Sequence, residues 1–155
     1  MPINKLRDFL DNNEIKYVVL SHSTAYTAQE VAASAHIPGK EMAKTVILKV
    51  DGKMMMAVLP ANYKVDFTLL KNAIGADKVI LADEQDFMDQ FPECEIGAMP
   101  PFGNLYNMDV LVAESLSEDD SIAFNAGSHR ELVKMGYKDF EKLVNPRIVK
   151  YSVRC

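Results

Sequence analysis

The stretch Ala43–Pro60 reads AKTVILKVDGKMMMAVLP, and its pattern decides the fold class. Two apolar runs, Val46–Val50 and Met54–Leu59, flank Asp51–Gly52, a strong short-range signal for a β-hairpin. Met54–Met56 are flexible apolar residues that suit a core strand. Side chains alternate along a strand, so Lys44 shares a face with Val46, Leu48 and Val50. A lysine opening an apolar face has two readings. It snorkels to the rim, or it stands at the mouth of a pocket, where partial burial lowers its pKa and its ammonium holds a phosphate or carbonyl oxygen.

Around this hairpin the chain alternates helices and strands irregularly. Ile3, Leu6, Phe9 and Leu10 recur at helical spacing over Ile3–Asn13. Lys16–Leu20 is a short strand. Thr27–Glu30 has the form of a capping box, predicting a helix to about His36, before Pro38–Gly39. Asp66 caps a helix that ends at Gly75. Lys78–Leu81 is a strand, and Asp83 opens a short helix through Gln90. Strands at Asp109–Val112, Ser121–Asn125 and Glu131–Met135 follow, then a helix near Lys138–Val144 that stops at Asn145–Pro146. There are no repeats or linkers. The pattern is that of a single α/β (α+β) domain over residues 1–155 with a mixed sheet, not a doubly wound unit.

Composition bounds the function. The 155 residues are 48% hydrophobic and 25% charged, ordinary for a globular domain. No apolar run is long enough for a transmembrane helix, and the charged N-terminal segment is unlike a signal peptide. With two cysteines there is no disulfide framework, and a cytoplasmic location without a membrane partner fits. The net charge of −5 argues against DNA and against broad sequence-independent nucleic-acid binding, which needs a basic face. It leaves room for a protein that touches one end of an RNA.

The segment Glu95–Gly103, EIGAMPPFG, is too stiff for a simple turn. Pro100 and Pro101 fix φ and carry no N–H, while Gly97 and Gly103 permit unusual backbone angles. Such a loop either connects two strands rigidly or aims the amides of Gly97, Ala98 and Met99 at one point, which is how an oxyanion hole is built. In FNAGSHRE, Gly127 permits positive φ and is followed by Ser128 and His129. Adjacent side chains on an extended chain point apart, so a Ser–His nucleophile pair is not expected. His129 either orients a substrate hydroxyl or phosphate, or is structural. His22, His36, His129 and Cys94 lack metal-ligand spacing, so no metal is expected. Cys94 has no visible activating partner. The run Glu118–Asp120 reads as a solvated turn.

Together, SHSTAYTAQEVA, AKTVILKVDG with AVLPA, IGAMPPFG and FNAGSH resemble, in order and spacing over roughly residues 2–146, the YbaK/prolyl-tRNA synthetase editing-domain family. The resemblance implies a barrel-like mixed sheet wrapped by helices. It implies hydrolysis of an amino acid wrongly esterified to tRNA, without cofactor, metal or covalent enzyme intermediate. Lys44 matches the family's pocket lysine, Gly97 through Pro101 its glycine-x-x-x-proline loop, and Gly127–His129 its glycine-rich turn. Lys44, Gly97 and Ala98 are then the expected catalytic groups, and Met99, Pro101, Gly127, Ser128 and His129 the expected binding groups. His22, Thr24 and Tyr26 either line the amino-acid pocket or pack as a loop on the sheet. Thr45 stands where alanyl-specific members carry asparagine. The expected partners are the acceptor end of a mischarged tRNA and a helper synthetase. A non-catalytic module that binds aminoacyl-tRNA or a nucleotide, and an esterase for small amino-acid esters, remain the rival readings.

Overall fold

The hairpin forms as its sequence dictates. In the computed structural model, which describes residues 3–22, 25, 27–95 and 97–155, strand β2 (Met42–Val50) pairs antiparallel with β3 (Lys53–Pro60), with Lys44 opposite Leu59. Asp51 and Gly52 turn the chain with φ of 50° and 85°, both left-handed, as a two-residue hairpin loop requires. Ahead of the hairpin come α1 (Asn4–Asn12), β1 (Tyr17–Ser21) and α2 (Ala28–Ser34). After it come β4 (Tyr63–Val65), α3 (Phe67–Ile74), β5 (Val79–Leu81) and α4 (Glu84–Phe87). The second half holds β6 (Val110–Ala113), α5 (Glu114–Ser117), β7 (Ser121–Asn125), β8 (Glu131–Gly136), α6 (Tyr137–Val144), β9 (Arg147–Val149) and β10 (Ser152–Arg154).

The main sheet has eight strands in the order β1-β8-β7-β2-β3-β6-β9, with β5 paired to the far end of β2. It is mixed, as expected. The β2–β7, β3–β6 and β6–β9 pairs are parallel, and the others antiparallel. The hydrogen-bonded path runs from β1 at one edge to β9 at the other, so among the described residues it is open. Strands β4 and β10 form a separate two-stranded ribbon.

Alternation along β2 sends side chains into two cores. Ala43 and Ile47 join Met56, Val58, Phe124 and Val133 on one face, covered by Leu6 and Leu10 of α1 and Phe140 of α6. Leu48 and Val50 face the other way with Leu59 and Leu111, under Leu70 of α3. Met42, on that second face, packs with Ala123, Leu132 and the α2 residues Val31 and Ala32. Lys44 therefore lies between two apolar clusters on one face, sharing it with Val46, Leu48 and Val50 as the alternation predicts.

The caps explain where helices begin and end. Thr27 accepts the Glu30 N–H at 3.1 Å, and its hydroxyl bonds the Glu30 carboxylate at 2.8 Å. Asp66 accepts the Leu69 N–H at 2.9 Å, and Gly75 closes α3 in the left-handed conformation. Helix α2 stops at Ser34, short of His36, whose φ is +58°. Three short strands, β4, β9 and β10, were not expected from the sequence.

Candidate functional site

The parallel pairing of β2 with β7 organises the site. Met42 lies opposite Ala123 and Ala43 opposite Phe124, and the same register carried one residue further brings Lys44 to Asn125, where β7 ends. The chain then enters the turn Ala126–His129. Gly127 has a φ of 101°, and a β-carbon there would come within 2.4 Å of Ile3 Cγ2, so the turn closes tightly on the start of α1.

The GAMPP loop docks on this turn through backbone. The Gly127 N–H donates to the Ala98 carbonyl at 3.0 Å, and the Glu95 N–H donates to the Gly127 carbonyl at 2.8 Å. The Glu95 carboxylate accepts the His129 N–H at 3.1 Å and lies 3.9 Å from His129 Nε2. The segment after β1 joins from the other side. The His22 N–H donates to the Arg130 carbonyl at 2.9 Å, and the Ala25 N–H to the His129 carbonyl at 3.3 Å. Three stretches that are distant in sequence thus meet at one end of β7.

Lys44 is half-buried, and its Nζ donates to the Ala61 carbonyl at 3.4 Å. Gln29 Nε2 of α2 reaches the same carbonyl at 3.3 Å, so the lysine sits under the helix that covers this face. Burial lowers the lysine pKa because desolvation disfavours the ammonium, and nearby Cys155 opposes this.

The loop itself requires one correction. The Ala98 N–H, expected as an oxyanion donor, is spent on the Glu95 carbonyl at 3.0 Å, and Ala98 is fully buried. A turn over Glu95–Ala98 has used it. Pro101, expected as a binding residue, is also buried. Gly97 differs. It is exposed, has a φ of 86°, and its N–H points to the thioether sulfur of Met99 at 3.3 Å, a weak acceptor. The N–H of Met99 has no acceptor among the described residues. A β-carbon on Gly97 would meet His129 Cε1 at 3.5 Å, which places the imidazole directly over this glycine.

The other expected residues are divided. His129 is buried at 6% exposure and belongs to the cluster. His22 is half-buried beside it. The Ser128 hydroxyl accepts the Arg130 N–H at 3.3 Å, a local turn contact. Thr45 lies opposite Val58 on the other face of β2 from Lys44. Thr24 and Tyr26 lie outside the described residues. Cys94 touches the Tyr106 hydroxyl at 3.7 Å, and burial pushes its thiol pKa up, away from nucleophilic use. No group of three or more His, Cys, Asp or Glu among the described residues is placed to hold a metal. A wide cavity of about 820 Å³ lies instead at the turn end of the hairpin, lined by Asp51, Lys53, Asn107 and Arg147 among others. It is separated from Lys44 by roughly 20 Å of strand.

Known proteins share this fold. The profile of the aminoacyl-tRNA editing domain matches residues 22–143. The chain belongs to that family. This editing domain is 27% identical over 153 residues to the multifunctional Ser/Thr-tRNA deacylase ProXp-y of Escherichia coli (strain K12), covering 95% of this chain and 90% of the relative. It is 26% identical over 142 residues to the prolyl-tRNA editing protein ProX of Acetoanaerobium sticklandii, covering 87% and 85%. A solved structure described as a candidate trans-editing enzyme for prolyl tRNA synthetase superposes with a TM-score of 0.80 at 18% identity, covering 96% and 95% of the two chains, which establishes the shared fold. No helix among the described residues of this editing domain is long and apolar enough to cross a membrane.

Sequence reasoning did not single out Glu95 or Asn125. Glu95 could have been suspected only as the residue that opens the stiff loop. Asn125 looks locally like an ordinary strand end.

Proposed function

We propose that this editing domain hydrolyses the ester joining a wrongly attached amino acid to the terminal adenosine of tRNA. A synthetase pocket discriminates one methylene by only about 1–3 kcal/mol, so a second site that hydrolyses errors supplies the missing selectivity. The reading rests on one observation above the rest. Gly97, exposed next to the buried Ala98, directs its N–H at a weak sulfur acceptor beside the buried His129.

In this reading the Met99 thioether holds the place of the substrate oxygen. When the ester carbonyl enters, Gly97 N–H exchanges sulfur for an oxygen whose negative charge grows in the transition state, and Met99 N–H is the second donor. Such a preorganised donor is worth about 3–4 kcal/mol of barrier. The Lys44 ammonium binds the terminal phosphate or carbonyl region and fixes the ester. A water molecule, aided by the ribose hydroxyl of the tRNA, adds its oxygen to the carbonyl carbon. The bond from that carbon to the ribose oxygen then breaks, and the proton released by water ends on the ribose oxygen. His129 orients the adenosine or acyl end from above Gly97. A synthetase that strengthens the weak, salt-sensitive grip of an acidic protein on tRNA is the expected helper.

The test is deacylation of a panel of mischarged tRNAs by the native protein and by Lys44→Ala. Turnover by the native protein, lost in the variant, is the expected result. Tight binding of charged tRNA with no turnover on any member of the panel would replace this reading by a binding module.

A further inference from the structure

Asn125 ends β7 at 8% exposure, and its side-chain oxygen Oδ1 is buried with no donor among the described residues. Buried carboxamide oxygens are normally hydrogen-bonded, so an orphaned one beside the site is open to a donor. Its direction follows from the sheet. Asn125 lies opposite Leu132 in the β7–β8 pair and alternates onto the face of Ala123, and both neighbours belong to the cluster beneath α2. Lys44 is on that same face, next to Met42, and the β2–β7 register carried one residue further sets it beside Asn125. The buried cluster on this face includes the small residues Ala25, Ala61 and Ala123.

An acceptor without a partner specifies a donor. The acyl group of a small aminoacyl ester offers chiefly two, the α-ammonium and a side-chain hydroxyl. The ammonium would lie on the same sheet face as the Lys44 ammonium, one strand away, and like charges repel in a half-buried site. A neutral hydroxyl meets no such penalty.

We propose that Asn125 is a specificity-determining residue of the acyl pocket, whose Oδ1 accepts a hydrogen bond from the side-chain hydroxyl of a small aminoacyl ester, seryl in preference to alanyl. The inference rests on the deacylase reading above. A site built to bond a hydroxyl rejects the analogue that lacks it strongly, because its own buried polar atom is then left unpaired. Without the acceptor, that discrimination disappears.

The experiment compares kcat/KM for one tRNA charged with serine or with alanine, using the native protein, Asn125→Leu and Asn125→Ala, with thermal melting as the check on folding. The native protein is expected to prefer the seryl ester. Both variants are expected to lose about 100-fold on the seryl ester while the alanyl rate stays within about threefold. Binding of non-hydrolysable seryl- and alanyl-amide analogues of the terminal adenosine, measured by calorimetry, should lose affinity for the seryl compound alone. Equal losses on both esters, or a native preference for alanine, would overturn the role of Asn125 and leave the deacylase reading standing. Absence of turnover on either ester by the native protein would overturn both.

Discussion

The backbone N–H of His129 donates to the Glu95 carboxylate at 3.1 Å, so a side chain from one loop fixes the main chain of another across the mouth of the site. The Glu95 N–H returns to the Gly127 carbonyl at 2.8 Å. Only the side-chain half of this exchange can be removed by substitution. Glu95→Ala is expected to release the His129 turn and lower the deacylation kcat about tenfold. Glu95→Gln keeps an acceptor and should stay within about threefold of native. Because the Glu95 side chain is 53% exposed, neither change should move the melting temperature by more than about 2 °C. A Glu95→Ala enzyme with native kcat would show that the two loops do not need this tie.

Lys44 gives a prediction in pH. Desolvation lowers its pKa below the ordinary lysine value of 10.5. If the ammonium is the active form, the rate falls on the alkaline side with an apparent pKa below 10.5, and Lys44→Arg moves that limb upward or abolishes it. The stability linkage has the opposite slope. Between the folded and unfolded values the unfolded chain binds more protons, so folding becomes more favourable as pH rises through that window. Rate profiles and melts from pH 7 to 11 check both. An alkaline limb that persists unchanged in Lys44→Arg would assign it to another group.

What the sequence revealed depended on whether the signal was local. The hairpin turn at Asp51–Gly52, the Asp66 cap and the Gly75 stop are each decided within a few residues, and all three form. Strands β4, β9 and β10 exist because partners arrive from elsewhere in the chain. Gly97, Gly127 and His129 were visible as loop residues with unusual backbone needs. That Ala98 would spend its N–H on Glu95 was not visible, since it depends on how the turn winds. Asn125 was invisible for a different reason. Its importance comes from an adjacent strand and from a partner it lacks, neither of which is written locally.

Gly127 is the position where backbone and packing demands coincide. Its φ of 101° is unfavourable for any β-carbon, and an added one would lie 2.4 Å from Ile3 Cγ2. Gly127→Ala is therefore expected to cost about 2–4 kcal/mol, combining backbone strain with a clash at the start of α1. For a chain of this size that is a fall in melting temperature of roughly 5–15 °C. Ile3→Ala in the same chain should recover part of the loss by removing the clashing methyl groups, leaving only the strain. Additive losses in the double variant would mean that the two residues do not meet in this way.

Asp119 offers a stabilising change away from the site. The run Glu118–Asp120, expected as a solvated turn, instead tucks Asp119 Oδ2 into a buried position with no partner among the described residues. Burial raises its pKa to about 6, Lys40 opposes this, and Glu41, Glu118 and Asp120 add to the rise. The sign follows directly. The folded chain holds this proton more tightly than the unfolded one, so the contribution is fully present below the ordinary carboxylate range and is lost as pH rises through about 6. At pH 7 the carboxylate is charged and poorly solvated. Asp119→Asn removes the charge and is expected to stabilise the protein at pH 7, by no more than about 1 kcal/mol once solvent screening of this partly exposed group is allowed for. At pH 4 the gain should vanish, because the native carboxyl is already neutral there. Denaturant melts of both proteins at the two pH values measure the difference, and a gain of equal size at pH 4 would trace it to packing instead of charge.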